Sequence, residues 1–430
     1  MSLFLFALAC SVPEDTHTAP AAAADPALHG KIGAAGDRDV LYLWGTREEM
    51  GYAEGALLCD RVAPLFKDYL LEHLVTNYSD YTYEVARTYI LVSTKFEEDD
   101  LAELTAMYQG MVDHCTEEQL TIESEFLEPD AYGSRVLEFE DLLFANALAD
   151  FGCSSFSVWG DASATGDTLH GRNFDWAADP QGTFLDDHIL KVYDSTDEGA
   201  RFVSLMVPAM AGCITCVTEE GVGITMHNVG GLDPTFDVDI SPRIAAARAA
   251  LVATWQAPDV VDAAEQVLES RRQYTGNNLH LSFPLARGDG TTGAVVFEYD
   301  GDSEAPDGQV TVRRPGEDPA LARLDAIVAT NHYVKREPPD TSGDSFERAR
   351  TLRAAVDTAD LTGGLDVTAG RALLASVALS DDTRGVTAHS ILIDSANRQL
   401  QIFVAPSWME AAPDFDPVIV DLDALFGELP

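Results

Sequence analysis

The pattern of hydrophobic and polar positions changes at about residue 152. Before that point, a short apolar run at Leu41–Trp44 predicts a strand, and longer segments with helical spacing follow at 50–74, 99–114 and 139–150. A region that contains one strand and several helices is mainly helical. The chain from 26 to 152 is therefore predicted to be a mainly helical segment.

After residue 152 the apolar runs become short and are separated by turn residues, which is typical of strands. Predicted strands lie at 155–159, 188–193, 202–207, 214–218, 223–227, 279–283, 294–299, 309–313, 326–329, 389–394 and 400–404. Predicted helices lie at 242–254, 259–272, 345–358 and 367–376. Two blocks of paired helices among blocks of strands indicate an α+β fold in which two stacked sheets lie between helical layers.

Residues 1–25 differ from the rest of the chain. An apolar run from Leu3 to Ala9 ends at Cys10, and a linker rich in Pro, Ala, Thr and acidic residues follows. The run is too short to span a bilayer as a helix. A cysteine in this position is typical of a bacterial lipoprotein signal, although the first residues lack the Lys or Arg of a secretory signal. We expect export to the periplasm or cell envelope, with membrane anchoring only through a lipid on Cys10.

The chain is strongly acidic, with 72 Asp and Glu residues against 27 Lys and Arg residues and a formal net charge of -45. Nucleic-acid binding requires a basic surface that neutralises phosphates, so this composition argues against a nucleic-acid partner. High net charge favours solubility and does not identify a substrate. The sequence also lacks a glycine motif that would cradle a phosphate, and no cofactor is expected.

One segment carries the strongest chemical pattern. Gly-Cys-Ser-Ser-Phe begins at Gly152, and His-Gly-Arg-Asn-Phe-Asp-Trp ends at Trp176. The residues between the two motifs are rich in turn formers and favour a hairpin. A hairpin brings Arg172 and Asp175 next to Cys153, so that a thiol, a guanidinium and a carboxylate become neighbours.

This grouping suits a cysteine at a chain terminus. A thiol has a pKa of about 8.5 and an α-amino group a pKa of about 8, so an N-terminal cysteine can use its own amine as the proton acceptor. Arg172 would favour the thiolate of Cys153, and Asp175 would orient the α-ammonium group. The alternative is a buried structural cysteine beside a surface Arg–Asp pair.

The two motifs resemble those of the N-terminal-nucleophile cysteine hydrolases. They are most similar to the isopenicillin-N acyltransferase-like family of self-cleaving enzymes, and more distantly to bile-salt hydrolases, penicillin V acylases and acid-ceramidase-like amidases. The resemblance implies cleavage between Gly152 and Cys153. It also implies a four-layer αββα sandwich over 153–430, a pro-segment or α-subunit over 26–152, and fragments 1–152 and 153–430 that stay associated as a heterodimer.

The resemblance also implies further site residues. Asn228 ends a predicted strand, where an amide N–H can stabilise an oxyanion. Asn331 ends another strand and would lie near the α-amine and the leaving group. Arg348, at the start of a predicted helix, matches the position of a site arginine in bile-salt hydrolases, and Arg350 remains an alternative.

Four cysteines remain besides the predicted nucleophile and the predicted lipidation site. In an exported protein they could form disulfides. A bond between Cys59 and Cys115 would tie the helical segment together. Cys213 and Cys216 have C-x-x-C spacing, which fits a local disulfide or two thiols better than zinc, because no second pair has metal-site spacing. No metal is therefore expected.

The functional expectation is a self-processing N-terminal-cysteine amidohydrolase. It would cleave a linear amide bond of a small N-acyl substrate through an acyl-enzyme on Cys153. Water is the expected acceptor, because acyl-coenzyme A is scarce outside the cytosol. One alternative is an acyl-coenzyme A-dependent N-acyltransferase of the same fold. The other is a non-catalytic, lipid-anchored binding protein, whose chain would remain uncut.

Overall fold

The computed structural model describes residues 28–75, 83–128, 131–148, 152–229, 240–273, 276–300, 308–336, 343–381 and 385–430. The predicted lipidation site Cys10 and the linker after it lie outside the described residues. Among the described residues, no helix is both long and apolar enough to cross a membrane.

The strands are short and occur along the whole described chain. They are β1 (Gly30–Ala35), β2 (Arg38–Gly45), β3 (Thr121–Glu128), β4 (Ala131–Val136), β5 (Gly152–Val158), β6 (Leu169–Trp176), β7 (Ile189–Ser195), β8 (Ala200–Met206), β9 (Thr215–Thr218), β10 (Gly223–Val229), β11 (Gly276–Ser282), β12 (Ala294–Tyr299), β13 (Val310–Arg313), β14 (Ala326–Ala329), β15 (Ser380–Asp381), β16 (Gly385–Asp394), β17 (Gln399–Val404) and β18 (Val418–Asp421).

Helices connect and cover these strands. They are α1 (Arg47–Pro64), α2 (Tyr83–Ser93), α3 (Glu98–His114), α4 (Phe139–Ala147), α5 (Thr183–Asp186), α6 (Arg243–Ala253), α7 (Val260–Glu269), α8 (Asp344–Asp357), α9 (Val367–Ala375) and α10 (Leu422–Gly427). A π-helix at Leu65–Val75 continues directly from α1. The break in helix type falls at Pro64, which ends α1 and lacks the N–H of a regular helical residue.

Two large sheets form the centre of the molecule. The first has nine strands in the order β1-β2-β7-β8-β9-β10-β11-β12-β13, and the second contains β14-β5-β6-β16-β17-β18, with β15 paired to β16. The sheets contact each other through β10 with β5 and through β12 with β14. Every residue of β11 and β12 is buried, as expected for strands that are covered on both faces.

Helices cover the outer face of each sheet. α6 packs on β9 and β10, and α7 packs on β13. On the other side, α8 packs on β14 and β5, while α9 packs on β6 and β16. The order helix, sheet, sheet, helix confirms the predicted α+β fold and the four-layer αββα sandwich.

The region before residue 152 contains more strands than the predicted one at Leu41–Trp44. Helices α1 to α4 and the π-helix are present, but β1 and β2 are part of the nine-stranded sheet, where β2 pairs in parallel with β7. β3 and β4 form a separate hairpin. The pattern missed β1 because its sequence, Gly-Lys-Ile-Gly-Ala-Ala, contains one large apolar residue. The region before the predicted cleavage position is thus built into the sandwich.

Buried ion pairs strengthen this connection. Lys191 on β7 donates to Glu54 of α1 at 2.6 Å, and both side chains are buried. Arg248 of α6 bonds Glu103 of α3 at 2.9 Å and Glu198 at 2.8 Å. The Lys191–Glu54 and Arg248–Glu103 pairs each join a helix from before residue 152 to an element from after it.

Candidate active site

Cys153 is the second residue of β5 and lies between the two sheets, with 0% of its surface exposed. It is the free cysteine of the described residues. The other four described cysteines form the disulfides Cys59–Cys115 and Cys213–Cys216. Among the described cysteines, Cys153 is therefore the one whose thiol is available to react.

The predicted hairpin of β5 and β6 places the first site residues. In its register Cys153 lies opposite Phe174, and Gly152 lies opposite Asp175. Directly paired residues of an antiparallel ladder point to the same face. Alternation along β6 puts Arg172 on the face of Phe174, so its guanidinium reaches the thiol.

Arg172 is held in a fixed orientation beside the sulfur. Its Nη2 donates to Cys153 Sγ at 3.0 Å and to the Met226 carbonyl at 3.1 Å. Its Nη1 donates to Thr215 Oγ1 and to His389 Nε2, the latter at 2.8 Å. The hydroxyl, the imidazole and the carbonyl together fix the plane of the guanidinium, so its positive charge stays next to the thiol.

The thiol is nevertheless not ionised by its surroundings alone. Burial raises the pKa of Cys153, and the charge of Asp175 raises it further. Arg172 and a hydrogen bond from the backbone N–H of Asp175 oppose this effect without reversing it. The uncut chain thus holds a neutral thiol in a site where an added base would generate the thiolate.

The backbone of Cys153 is bound by two more predicted residues. Its N–H donates to Asn331 Oδ1 at 2.9 Å, and its carbonyl accepts from Arg348 Nη1 at 2.6 Å. Arg348 Nη2 also donates to Asn331 Oδ1 at 2.8 Å. Asn331 thus contacts the peptide unit before the Cys153 side chain, and Arg348 contacts the peptide unit after it.

Of the two candidate arginines, the structure places Arg348 next to Cys153 and Arg350 on the surface. The side chain of Arg350 is 76% exposed and pairs with Glu347 on the surface of α8. Arg348 is buried and additionally bonds Asp344 at 2.7 Å. Residues two apart on a helix point in different directions, and here only the first faces Cys153.

Asp175 lies against the residue whose peptide bond is predicted to be cut. Its Oδ1 accepts from Thr387 Oγ1 at 2.6 Å, and its Oδ2 is 3.5 Å from Arg348 Nη1. A Cβ atom at Gly152 would be 3.5 Å from the Cβ of Asp175. Burial raises the pKa of the Asp175 carboxyl, and Arg348, Thr387 and Arg172 act in the opposite direction.

Asn228 is next to the site, near the end of β10. Its backbone carbonyl accepts from Asn331 Nδ2 at 2.6 Å, and its side-chain Oδ1 accepts from Arg243 at 2.9 Å. The structure thus connects Asn228 to Cys153 through Asn331. The role of its side-chain N–H at an oxyanion remains a prediction.

An apolar cavity of about 290 Å³ lies next to this group. Its walls come from the helical region before residue 152 and from both sheets, and they include Leu70, Ile90, Phe144, Phe174, Met206 and His389. Phe174 is the residue opposite Cys153, and His389 bonds Arg172. The cavity therefore begins one side chain away from the thiol.

Comparisons with known proteins gave solved structures alone. No family model matches the chain, and no curated protein matches it. Among similar solved structures is an N-acylethanolamine-hydrolyzing acid amidase ortholog from Caenorhabditis elegans, at 15% identity and a TM-score of 0.39, covering 57% of this chain and 95% of that one.

Two further solved structures are similar to this chain. A mutant of the conjugated bile acid hydrolase from Clostridium perfringens has 10% identity and a TM-score of 0.37, with 63% and 93% coverage of this chain and that one. Penicillin V acylase from Agrobacterium tumefaciens has 14% identity and a TM-score of 0.35, with 59% and 83% coverage. The assignment of roles rests on the contacts around Cys153.

The sequence did not reveal three residues of the site. Thr215 and His389 hold Arg172, and Thr387 holds Asp175. The two β16 residues reach the site because β16 pairs with β6, with an irregularity between Thr387 and His389. Nothing in their local sequence marks them.

Proposed function

We propose that this protein is a self-processing amidohydrolase in which Cys153 is the nucleophile. One observation carries the proposal: the sulfur, the N–H and the carbonyl of Cys153 are each bonded by a different side chain, namely Arg172, Asn331 and Arg348. A cysteine that only fills space in a core needs no polar partners. Three such partners are expected where a thiol and its backbone are positioned for a reaction.

The first reaction is the cut itself. The thiol of Cys153 attacks the carbonyl carbon of Gly152, the C–N bond between the two residues breaks, and the thiol proton goes to the departing nitrogen. Water then hydrolyses the resulting thioester, which frees the carboxylate of Gly152 and restores the thiol. Asn331 already accepts a hydrogen bond from the nitrogen that becomes the α-amine.

The cut supplies the base that the buried thiol lacks. The new α-amine of Cys153 takes the thiol proton, and Arg172 stabilises the thiolate. The thiolate attacks the carbonyl of an N-acyl substrate, the leaving amine takes the proton, and water releases the acid from the acyl-enzyme. In this scheme the side chain of Asn228 donates to the oxyanion, while Asn331 and Asp175 orient the α-amine.

The cavity supports an apolar acyl group. Its walls are mostly aliphatic and aromatic side chains, and such surfaces favour apolar ligands through the hydrophobic effect. The cavity starts beside Phe174, next to the nucleophile. We therefore propose N-acyl amides with an apolar acyl chain as the substrate class.

Intact-mass analysis and a denaturing gel of the wild type beside Cys153→Ala test the self-cleavage. We expect fragments of 152 and 278 residues, which make up the 430 of the chain, with the second beginning at Cys153, and a single uncut chain in the variant. Any further trimming of the N-terminal fragment does not affect this result. An uncut wild type would contradict the mechanism and favour the binding-protein alternative.

A second assay tests the reaction. N-acyl amides are incubated with the cleaved protein, and release of the free acid is measured with and without an added amine acceptor. We expect the acid without an acceptor. Acyl transfer to the amine only when acyl-coenzyme A replaces the N-acyl amide as the donor would favour the acyl-coenzyme A-dependent acyltransferase alternative. Arg350→Ala changes a surface residue on the same helix as Arg348. It serves as a control variant, which should hydrolyse the amides at the wild-type rate.

A further inference from the structure

His389 is a polar side chain on the wall of the apolar cavity. It lies on β16, is 1% exposed, and stacks on Phe174 with ring centroids 4.6 Å apart. The mechanism above does not use it as an acid or a base.

The proton of this imidazole has a fixed place. Arg172 Nη1 lies 2.8 Å from His389 Nε2, and a guanidinium can only donate. Nε2 must therefore accept. Burial, with Arg172 adding to it, lowers the pKa of His389 well below its usual value, so the ring is neutral. A neutral ring whose Nε2 accepts carries its hydrogen on Nδ1.

The resulting N–H donor is unsatisfied. Among the described residues, Nδ1 of His389 has no hydrogen-bond partner, although the atom is buried. Buried polar groups nearly always have a partner, and an exception calls for an explanation. A bound ligand with an acceptor atom would provide one.

His188 provides the complementary group. Its ring also lines the cavity and lies 5.2 Å from that of His389 in a T-shaped arrangement. Nδ1 of His188 donates to the Phe184 carbonyl at 2.9 Å, since a carbonyl can only accept. Burial lowers the pKa of His188 to about 4, so its Nε2 is a lone-pair acceptor near neutral pH.

We propose that His389 and His188 form a hydroxyl-recognition subsite in the acyl cavity. A hydroxyl group on the acyl chain would accept from His389 Nδ1 and donate to His188 Nε2. Because Arg172 bonds both His389 and the sulfur of Cys153, this hydroxyl belongs near the carbonyl end of the acyl group. The inference rests on the proposed function and narrows its substrate to hydroxyacyl amides.

The test compares amides that differ in one oxygen. The p-nitroanilides of dodecanoic, 2-hydroxydodecanoic and 3-hydroxydodecanoic acid are hydrolysed by the cleaved wild type, and kcat/KM is measured for each. We expect one hydroxyacyl amide to be preferred over the plain one by about tenfold or more, the scale of one buried hydrogen bond. Equal values for all three would overturn the inference and leave the amidohydrolase proposal standing. Hydrolysis of none would contradict both.

Two variants connect the preference to the histidines. His188→Phe keeps the ring shape and removes the acceptor, and His389→Gln keeps an acceptor for Arg172 while shifting the donor. The readout is the ratio of kcat/KM for the preferred hydroxyacyl amide to kcat/KM for the dodecanoyl amide. This ratio does not depend on the amount of folded enzyme. We expect the ratio to fall toward one in His188→Phe and to drop at least severalfold in His389→Gln. A ratio unchanged in both would assign the preference elsewhere.

Discussion

Two fully buried arginines have opposite surroundings. Arg248 bonds both oxygens of Glu103 and, through Nε and Nη2, the carboxylate of Glu198. Arg172 bonds a thiol, a hydroxyl, an imidazole and a carbonyl. Both guanidinium groups also lie over an aromatic ring, at 4.8 Å from Phe174 and at 4.9 Å from Tyr193.

The difference separates a structural charge from one that is available for chemistry. Burial by itself acts to lower the pKa of both arginines. For Arg248 the carboxylates outweigh burial and the pKa rises well above its usual value, whereas for Arg172 burial prevails and the pKa falls. Arg248 is neutralised where it stands. Among the described residues no carboxylate bonds Arg172 directly, so its charge gains a direct anionic partner when the thiolate of Cys153 forms.

The largest expected effect comes from removing the structural arginine. Arg248→Met leaves Glu103 and Glu198 buried without this partner, which should lower the free energy of unfolding by about 3–5 kcal/mol. Denaturant unfolding in a Cys153→Ala background measures the change without interference from cleavage. Unaltered stability would mean that the two arginines do not differ as described.

Removing the other arginine should affect activity instead. Arg172→Met should slow self-cleavage and amide hydrolysis by about 10²–10³-fold, the scale of losing one positioned electrostatic group. The fraction cut over time on a denaturing gel measures the first effect, and acid release measures the second. Circular dichroism should still show a folded chain. Normal cleavage in this variant would remove Arg172 from the mechanism.

Two neighbouring arginines on α8 provide a smaller, matched comparison. Arg348→Gln removes the charge that bonds the Cys153 carbonyl and Asn331, so self-cleavage should slow by about tenfold, the scale of one charged hydrogen bond. Arg350→Gln changes a surface pair and should leave the rate as it is. Time courses of the two variants, run side by side, measure the difference. Equal slowing in both would point to a general effect on α8.

The smallest expected effect is a pH dependence of the free energy of unfolding that comes from His188, a buried histidine near Arg172. His188 has a folded pKa of about 4, chiefly because it is buried, against about 6.5 when unfolded. Below pH 6.5 the unfolded chain therefore binds a proton that the folded chain does not, and this contribution to stability is lost as pH falls.

A variant isolates this contribution from the many carboxylates. The free energy of unfolding of Cys153→Ala minus that of Cys153→Ala/His188→Asn should fall by up to about 1.4 kcal/mol per pH unit between pH 6 and 5. Urea titrations at each pH give both values. A constant difference would show that His188 binds its proton equally well in both states.

Local patterns predicted much of the fold. β10, predicted at 223–227, runs from Gly223 to Val229, and α9, predicted at 367–376, runs from Val367 to Ala375. β18 and α10 at the C-terminus were missed, as β1 was. These elements are short or poor in large apolar residues, so their pairing in the sheet or packing on the core decides their structure.

The site divides along a similar line. Arg172 and Asp175 were predicted beside Cys153 because a hairpin is a local structure. Asn331 and Arg348 came from the resemblance of the motifs. His389 lies 217 positions from Arg172 and meets it only because β16 pairs with β6, which no local pattern encodes.

The parallel pairing of β2 with β7 gives the proposed cut a consequence for refolding. The two strands lie on opposite sides of the Gly152–Cys153 bond in the chain, yet they share one sheet. Before the cut, folding is unimolecular. After the cut, the same sheet is built from two separate polypeptide chains. Refolding then requires the two fragments to meet and depends on their concentration. We expect the precursor to refold from dilute denaturant, and the matured protein to do so only when both fragments are abundant.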